Sequence, residues 1–238
     1  MFNRIMVVML GVLMAVCLIM GILKSYSRNK NYLEYELLFK TCGSLCFVCL
    51  GILSFYLSDT TNTQYALAII IGLILGMLGD IFLCLYDILV IPKRKDFVQY
   101  VGVTFFFLGH ICYMFNFLSI SDLKLYLIPF VVIMPIIYLI LALTKKVQTN
   151  TLQNVFLTIY FLALNLILVS AVNLIITRDD VAFPVIILVA SVLFISSDIV
   201  LGLSWFAPSA KLHKNYDFYI ILSYFLAQCL YAISIYFI

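Results

Sequence analysis

Two aspartates stand well inside apolar runs: Asp80 in LILGMLGDIFLCL (Leu73–Leu85) and Asp198 in LFISSDIVLG (Leu193–Gly202). A carboxylate at such a depth costs roughly 2.5–3.5 kcal/mol on insertion scales, so it faces the bundle interior or a cavity and has partners. Two of them facing each other in a low dielectric would share a proton, leaving a neutral acid beside a charged carboxylate. That pair suits general acid–base work on a bond that opens through a cation, or the carriage of protons across the membrane. It titrates as a unit, and the sequence leaves open which residue is the acid.

Partners lie on neighbouring runs. His110 and Tyr113 are three apart on one helix face, and Tyr224, Gln228 and Tyr231 share a face of the last run. Singly, each reads as a packing hydrogen bond; together, at matching positions, they read as a site. Lys40 either snorkels to the interface or meets a lipid phosphate a few ångströms above the aspartates. Asn165 and Asn173 read as packing hydrogen bonds, and Gly72 with Gly76 as a small-residue packing seam.

Other chemistries are excluded. Only two histidines exist, and His213 is expected in a connection, so a three-histidine zinc site cannot be built; neither metal nor cofactor is called for. No G-x-S-x-G elbow or Cys–His pair supports acyl-enzyme chemistry. Asp80 lacks the G-x-G-D setting of intramembrane aspartyl proteases. The seven cysteines all fall in apolar runs and read as small packing residues.

These side chains need helices to position them. Of the 238 residues, 66% are hydrophobic and 11% charged, with a mean hydropathy of +1.19; soluble domains carry about 25% charged residues. Runs near the spanning length of about 20 residues repeat along the whole chain. The fold expected is all-α, a polytopic membrane protein of eight transmembrane helices at about 5–23, 37–57, 65–88, 98–120, 123–143, 152–176, 182–205 and 217–238. No segment remains for a soluble catalytic domain. The first run is too long, and too closely followed by Lys and Arg, for a signal peptide. The net charge of +3 sits in loops and does not point to nucleic acid.

Charge sets the orientation. Eleven Lys and Arg lie at the first, third, fifth and seventh connections, against Arg4, Lys124 and Arg178 on the other side. The odd connections are therefore expected in the cytoplasm and both termini outside, in a bacterial inner membrane or an endoplasmic reticulum.

The halves of the single domain (1–238) echo each other, at 1–120 and 121–238. GDIFL at Gly79 matches SDIVL at Ser197, and FLGHICY at Phe107 matches FLAQCLY at Phe225, both displaced by 118 positions. Asp80 precedes His110 by 30 positions, as Asp198 precedes Gln228. Two parallel four-helix repeats would place both aspartates at one depth, roughly 10–15 Å from the cytoplasmic helix ends, facing each other across a central cavity.

At these residues the chain resembles the YhhN family, integral membrane proteins that include animal lysoplasmalogenases. The likeness rests on LGDIFL (Leu78–Leu83), FFFLGHICY (Phe105–Tyr113), LFISSDIVLG and SYFLAQCLY (Ser223–Tyr231), in the family's order. The family commonly has Lys-Pro early in the second helix; here Thr41 follows Lys40. The resemblance implies hydrolysis of the vinyl ether bond of a lysophospholipid, lysoplasmalogen, giving a fatty aldehyde and a glycerophospho-ethanolamine or -choline. Asp80 and Asp198 would be catalytic, with His110, Gln228, Tyr113 and Tyr224 orienting water and carboxylates. A small proton-coupled transporter using the same aspartates is the alternative.

Overall fold

A backbone with no water to bond to must satisfy its N–H and C=O groups within its own segment, and an apolar run in a bilayer therefore folds as helix. The computed structural model describes residues 2–30, 32–58, 62–89, 91–122, 124–207 and 212–238. Among them are eight helices long and apolar enough to cross a membrane, and no strand. They are α1 (Phe2–Asn29), α2 (Leu33–Leu57), α3 (Thr63–Ile88), α4 (Pro92–Ser119), α5 (Ile133–Leu143, entered through a 3₁₀ stretch, Leu125–Val132), α6 (Thr151–Thr177), α7 (Ala182–Phe206) and α8 (Leu212–Phe237).

Helices α2, α4 and α8 begin earlier than hydropathy indicates, because their charged first turns are helical as well. His213 consequently falls in the first turn of α8 rather than in a connection. Lys211, and the side chains of Arg4, Lys93, His213 and Lys214, lie outside the described residues.

Local chemistry explains the ends. Pro92 occupies the first turn of α4, where a missing N–H goes unnoticed. Asn62 caps α3 by accepting from Tyr65 N at 3.1 Å, and Asn150 with Gln153 forms a reciprocal capping box on α6. The irregular entry to α5 follows from Pro129 and Pro135, neither of which can donate a backbone bond. Pro135 leaves the Val131 carbonyl without its helical partner, and Asn165 of α6 donates to that oxygen at 2.8 Å. Asn173 likewise holds the α4–α5 connection, accepting from Lys124 N and donating to the Asp122 carbonyl, both at 3.1 Å. Both asparagines are thus the structural hydrogen bonds expected of them.

Helix α8 is the most enclosed span, packed against α1, α2, α3 and α7. The large side chains between the helices are aromatic: Phe47, Tyr65, Tyr113, Phe117, Phe225 and Tyr231 are all fully buried. The outward faces carry Ile19, Leu45, Ile52, Leu67 and Val192, which suits contact with lipid.

Helices α3 and α4 approach most closely. A Cβ on Gly109 would lie 3.2 Å from the Gly72 carbonyl, and one on Gly79 3.1 Å from that of Gly102. The small-residue seam therefore runs through Gly72 and Gly79, while Gly76 turns toward α8, where a Cβ would stand 2.8 Å from Gln228 Nε2. This fixes the register between Asp80 and His110, which those two helices carry.

Exchange of the halves relates the contact of α2 with α8 to that of α6 with α4, and both are present. Helix α1 also packs on α8, but among the described residues α5 does not pack on α4, so the halves are not used alike.

Candidate active site

Asp80 is sealed in the bundle with 1% of its side chain exposed, and three side chains from two neighbouring helices bind it. From α2, Lys40 Nζ stands 3.2 Å from Oδ1, and the Ser44 hydroxyl donates to Oδ2. From α8, Tyr224 donates to Oδ2 at 2.9 Å. A relay backs Tyr224: Gln228 Nε2 donates to its hydroxyl at 3.3 Å, and Tyr113 donates to Gln228 Oε1 at 2.9 Å. Lys40 thus points down into the aspartate layer as a counter-ion, where the sequence suggested a snorkelling or phosphate-binding group above it.

Asp198 has a different setting. Its side chain is 11% exposed, and Tyr160 of α6 donates to Oδ2 at 2.5 Å. His110 Nε2 lies 3.8 Å from the same oxygen, too far for a hydrogen bond. The other ring nitrogen, Nδ1, contacts the Phe106 carbonyl, which can only accept, so Nδ1 carries the hydrogen. Nε2 is therefore the nitrogen turned toward Asp198, and it has no hydrogen-bond partner among the described residues. The ring is held edge-on by Phe194 and Tyr160, with centroids 4.7 and 5.2 Å away.

Asp80 and Asp198 line one cavity of about 130 Å³, together with Lys40, Tyr160 and Tyr224. Each carboxylate draws partners from the opposite half of the chain: Tyr224 on Asp80, His110 near Asp198. No hydrogen bond joins the two acids, so the proton-sharing dyad expected from the sequence is replaced by two carboxylates with separate partners. Gln228 and Tyr113 reach Asp80 only through Tyr224.

A family model, described as the YhhN family, matches residues 35–235. The chain belongs to the YhhN family. No curated protein and no solved structure matches it. The match begins at Tyr35, so α1 precedes it.

In this YhhN-family chain, several groups at the site escaped sequence reasoning. Ser44 lies one turn beyond Lys40 on the same face of α2, a legible spacing. Tyr160 left no trace in the internal repeat, for Cys42 stands 118 positions before it. Four further charges line or adjoin the end of the cavity near the α1–α2 connection. Lys24 Nζ lies 2.6 Å from Asp217 and 3.2 Å from Glu36, and Arg28 lies 2.9 Å from Glu36 and 3.5 Å from Asp217. Counted as loop charges in the orientation argument, Lys24 and Arg28 instead join α1, α2 and α8.

Proposed function

We propose that the protein hydrolyses the vinyl ether bond of a lysoplasmalogen-type single-chain lipid, the activity associated with the YhhN family. The observation that carries this reading is the unequal setting of two carboxylates on one cavity. Asp80 is ion-paired with Lys40; Asp198 has no such cation among the described residues and meets the cavity.

The chemistry asks for that inequality. Protonating the terminal alkenyl carbon turns the vinyl ether into an oxocarbenium ion, the kind of cation glycosidases manage with two carboxylates. Asp198 donates this proton, with Tyr160 steadying the carboxylate left behind. Asp80 provides the fixed negative charge that favours the cation. Water adds to the cationic carbon and its proton returns to Asp198, with His110 Nε2 placed to accept and pass it on. The hemiacetal then loses its hydroxyl proton while the departing glycerol oxygen gains one, leaving aldehyde and alcohol with no net proton change.

The lipid enters from the cytoplasmic leaflet, since the lysine- and arginine-rich end of the bundle is the end nearer the cavity. Arg28, with 18% of its side chain exposed, lines that end and is within reach of a phosphate. The experiment is aldehyde release from lysoplasmalogen by purified protein in D₂O. The aldehyde should carry one deuterium on the carbon beside its carbonyl, and a saturated alkyl ether should be left intact. Proton-coupled solute uptake by proteoliposomes, without lipid turnover, would replace the hydrolase with a carrier.

A further inference from the structure

A second, partly open cavity between α5, α6 and α7 adjoins the first and has almost no polar surface. Its wall includes Met134, Tyr138, Leu141, Ile199 and Leu203. The Tyr138 hydroxyl is turned away to Asn154, to which it donates at 2.7 Å. Leu157, Phe161, Gly202 and Phe206 line both cavities and form the neck between them. Gly202 lies four residues, one turn, beyond Asp198 on the same face of α7.

Gly202 is the informative residue. Helix interiors disfavour glycine, so one that persists usually answers to a backbone or packing need. Gly202 has neither: it has no positive φ, and a Cβ there would meet nothing within 4 Å. Eight of the ten glycines press against a neighbour, and the remaining one, Gly11, is exposed on the outer face of α1. Gly202 borders open space where a polar chamber and a dry one adjoin.

We propose that the dry cavity takes the hydrocarbon chain of the amphiphile whose polar end lies against Asp198, and that Gly202 keeps the neck open for it. The occupant follows from the adjacency of the cavities, which share four lining residues: a long molecule, apolar at one end and polar at the other, suits a chamber with almost no polar surface beside one with two carboxylates. The proposal takes its substrate class from the hydrolase reading, while its test does not depend on turnover.

The probe is a lysophosphatidylethanolamine with a long saturated chain and a diazirine near the chain end, photolysed on the purified full-length protein. Label should fall on Met134, Tyr138, Ile199 or Leu203. Gly202→Leu should reduce it at least about tenfold, because several methylenes lose their apolar burial. Gly11→Leu should label as the wild type does. Leu157→Phe narrows the neck from α6 and serves should Gly202→Leu fold poorly. Label confined to the outer faces at Leu139 and Val192, or undiminished in folded neck variants, overturns the proposal. Chain-end label in the dry cavity with no aldehyde release from lysoplasmalogen would instead refute the hydrolase reading alone.

Discussion

Lys40 Nζ stands 3.2 Å from Asp80 Oδ1, an ion pair buried between α2 and α3, and among the described residues Asp198 has no equivalent cation. The two aspartates are therefore matched by sequence offset and unmatched in chemistry. Replacing each by asparagine should give different results.

Asp80→Asn strands the Lys40 ammonium inside the bundle, which costs about 3 kcal/mol if the lysine cannot reach the interface. Thermal unfolding in detergent should show this loss. Asp80→Asn with Lys40→Met removes both charges and should recover most of the stability, yet stay inactive for want of a carboxylate. Wild-type turnover by the folded double variant would end the catalytic role of Asp80.

Asp198→Asn keeps an oxygen that accepts from Tyr160 and strands no cation, so stability should change by less than about 1 kcal/mol. Aldehyde release should fall about 10²–10⁴-fold, the usual contribution of a positioned general acid. Tyr160→Phe removes the hydroxyl alone. It should cost about 0.6–1.7 kcal/mol of stability, in the range of interhelical hydrogen bonds in membranes, and lower turnover without abolishing it. Equal activity of Asp198→Asn and the wild type would place the proton donor elsewhere.

The helices were legible because spanning an apolar medium demands long runs, and all eight are found. Asp80, Asp198, His110 and Tyr224 were legible because polar groups in such runs are expensive and need partners. The ion pair was not, since hydropathy places Lys40 at a depth but cannot tell a side chain that climbs to the interface from one that turns inward. Tyr160 was hidden by its own amphipathic character: in a helix with nine other buried residues a tyrosine reads as core until a carboxylate is seen beside it. The Lys24 cluster was hidden because acids and bases near helix ends look solvated unless a third helix, here α8, covers them.

Gly76 faces the relay behind Asp80, where an added Cβ would lie 2.8 Å from Gln228 Nε2 and 3.3 Å from the Tyr224 hydroxyl. Gly76→Ala gains helix propensity but forces that pair to shift, and overpacking of this kind typically costs about 1–3 kcal/mol. Lower stability together with lower turnover is expected, whereas Gly11→Ala should be neutral or stabilising because nothing opposes its Cβ. If Gly76→Ala unfolds like the wild type and turns over normally, the relay does not constrain Tyr224.

Lys24 bridges Glu36 and Asp217 at 3.2 and 2.6 Å, with 5% of its side chain exposed, so bulk salt screens these pairs little. Among the described residues, Lys24→Met removes one of two cations facing two buried carboxylates. Arg28 remains 2.9 Å from Glu36 and 3.5 Å from Asp217, which should hold the loss to about 2–3 kcal/mol. Adding Arg28→Met takes both of these cations from Glu36 and Asp217 and should cost more stability than either change alone. Arg178 and Asp180 offer the contrast: their 2.6 Å pair is 29% and 40% exposed, and Arg178→Ala should change stability by less than about 0.5 kcal/mol. Unfolding temperatures in low and high salt check both halves of this argument. The deficit of Lys24→Met should be the same in each, because Lys24 and the two carboxylates it bridges are buried between α1, α2 and α8, away from mobile counter-ions.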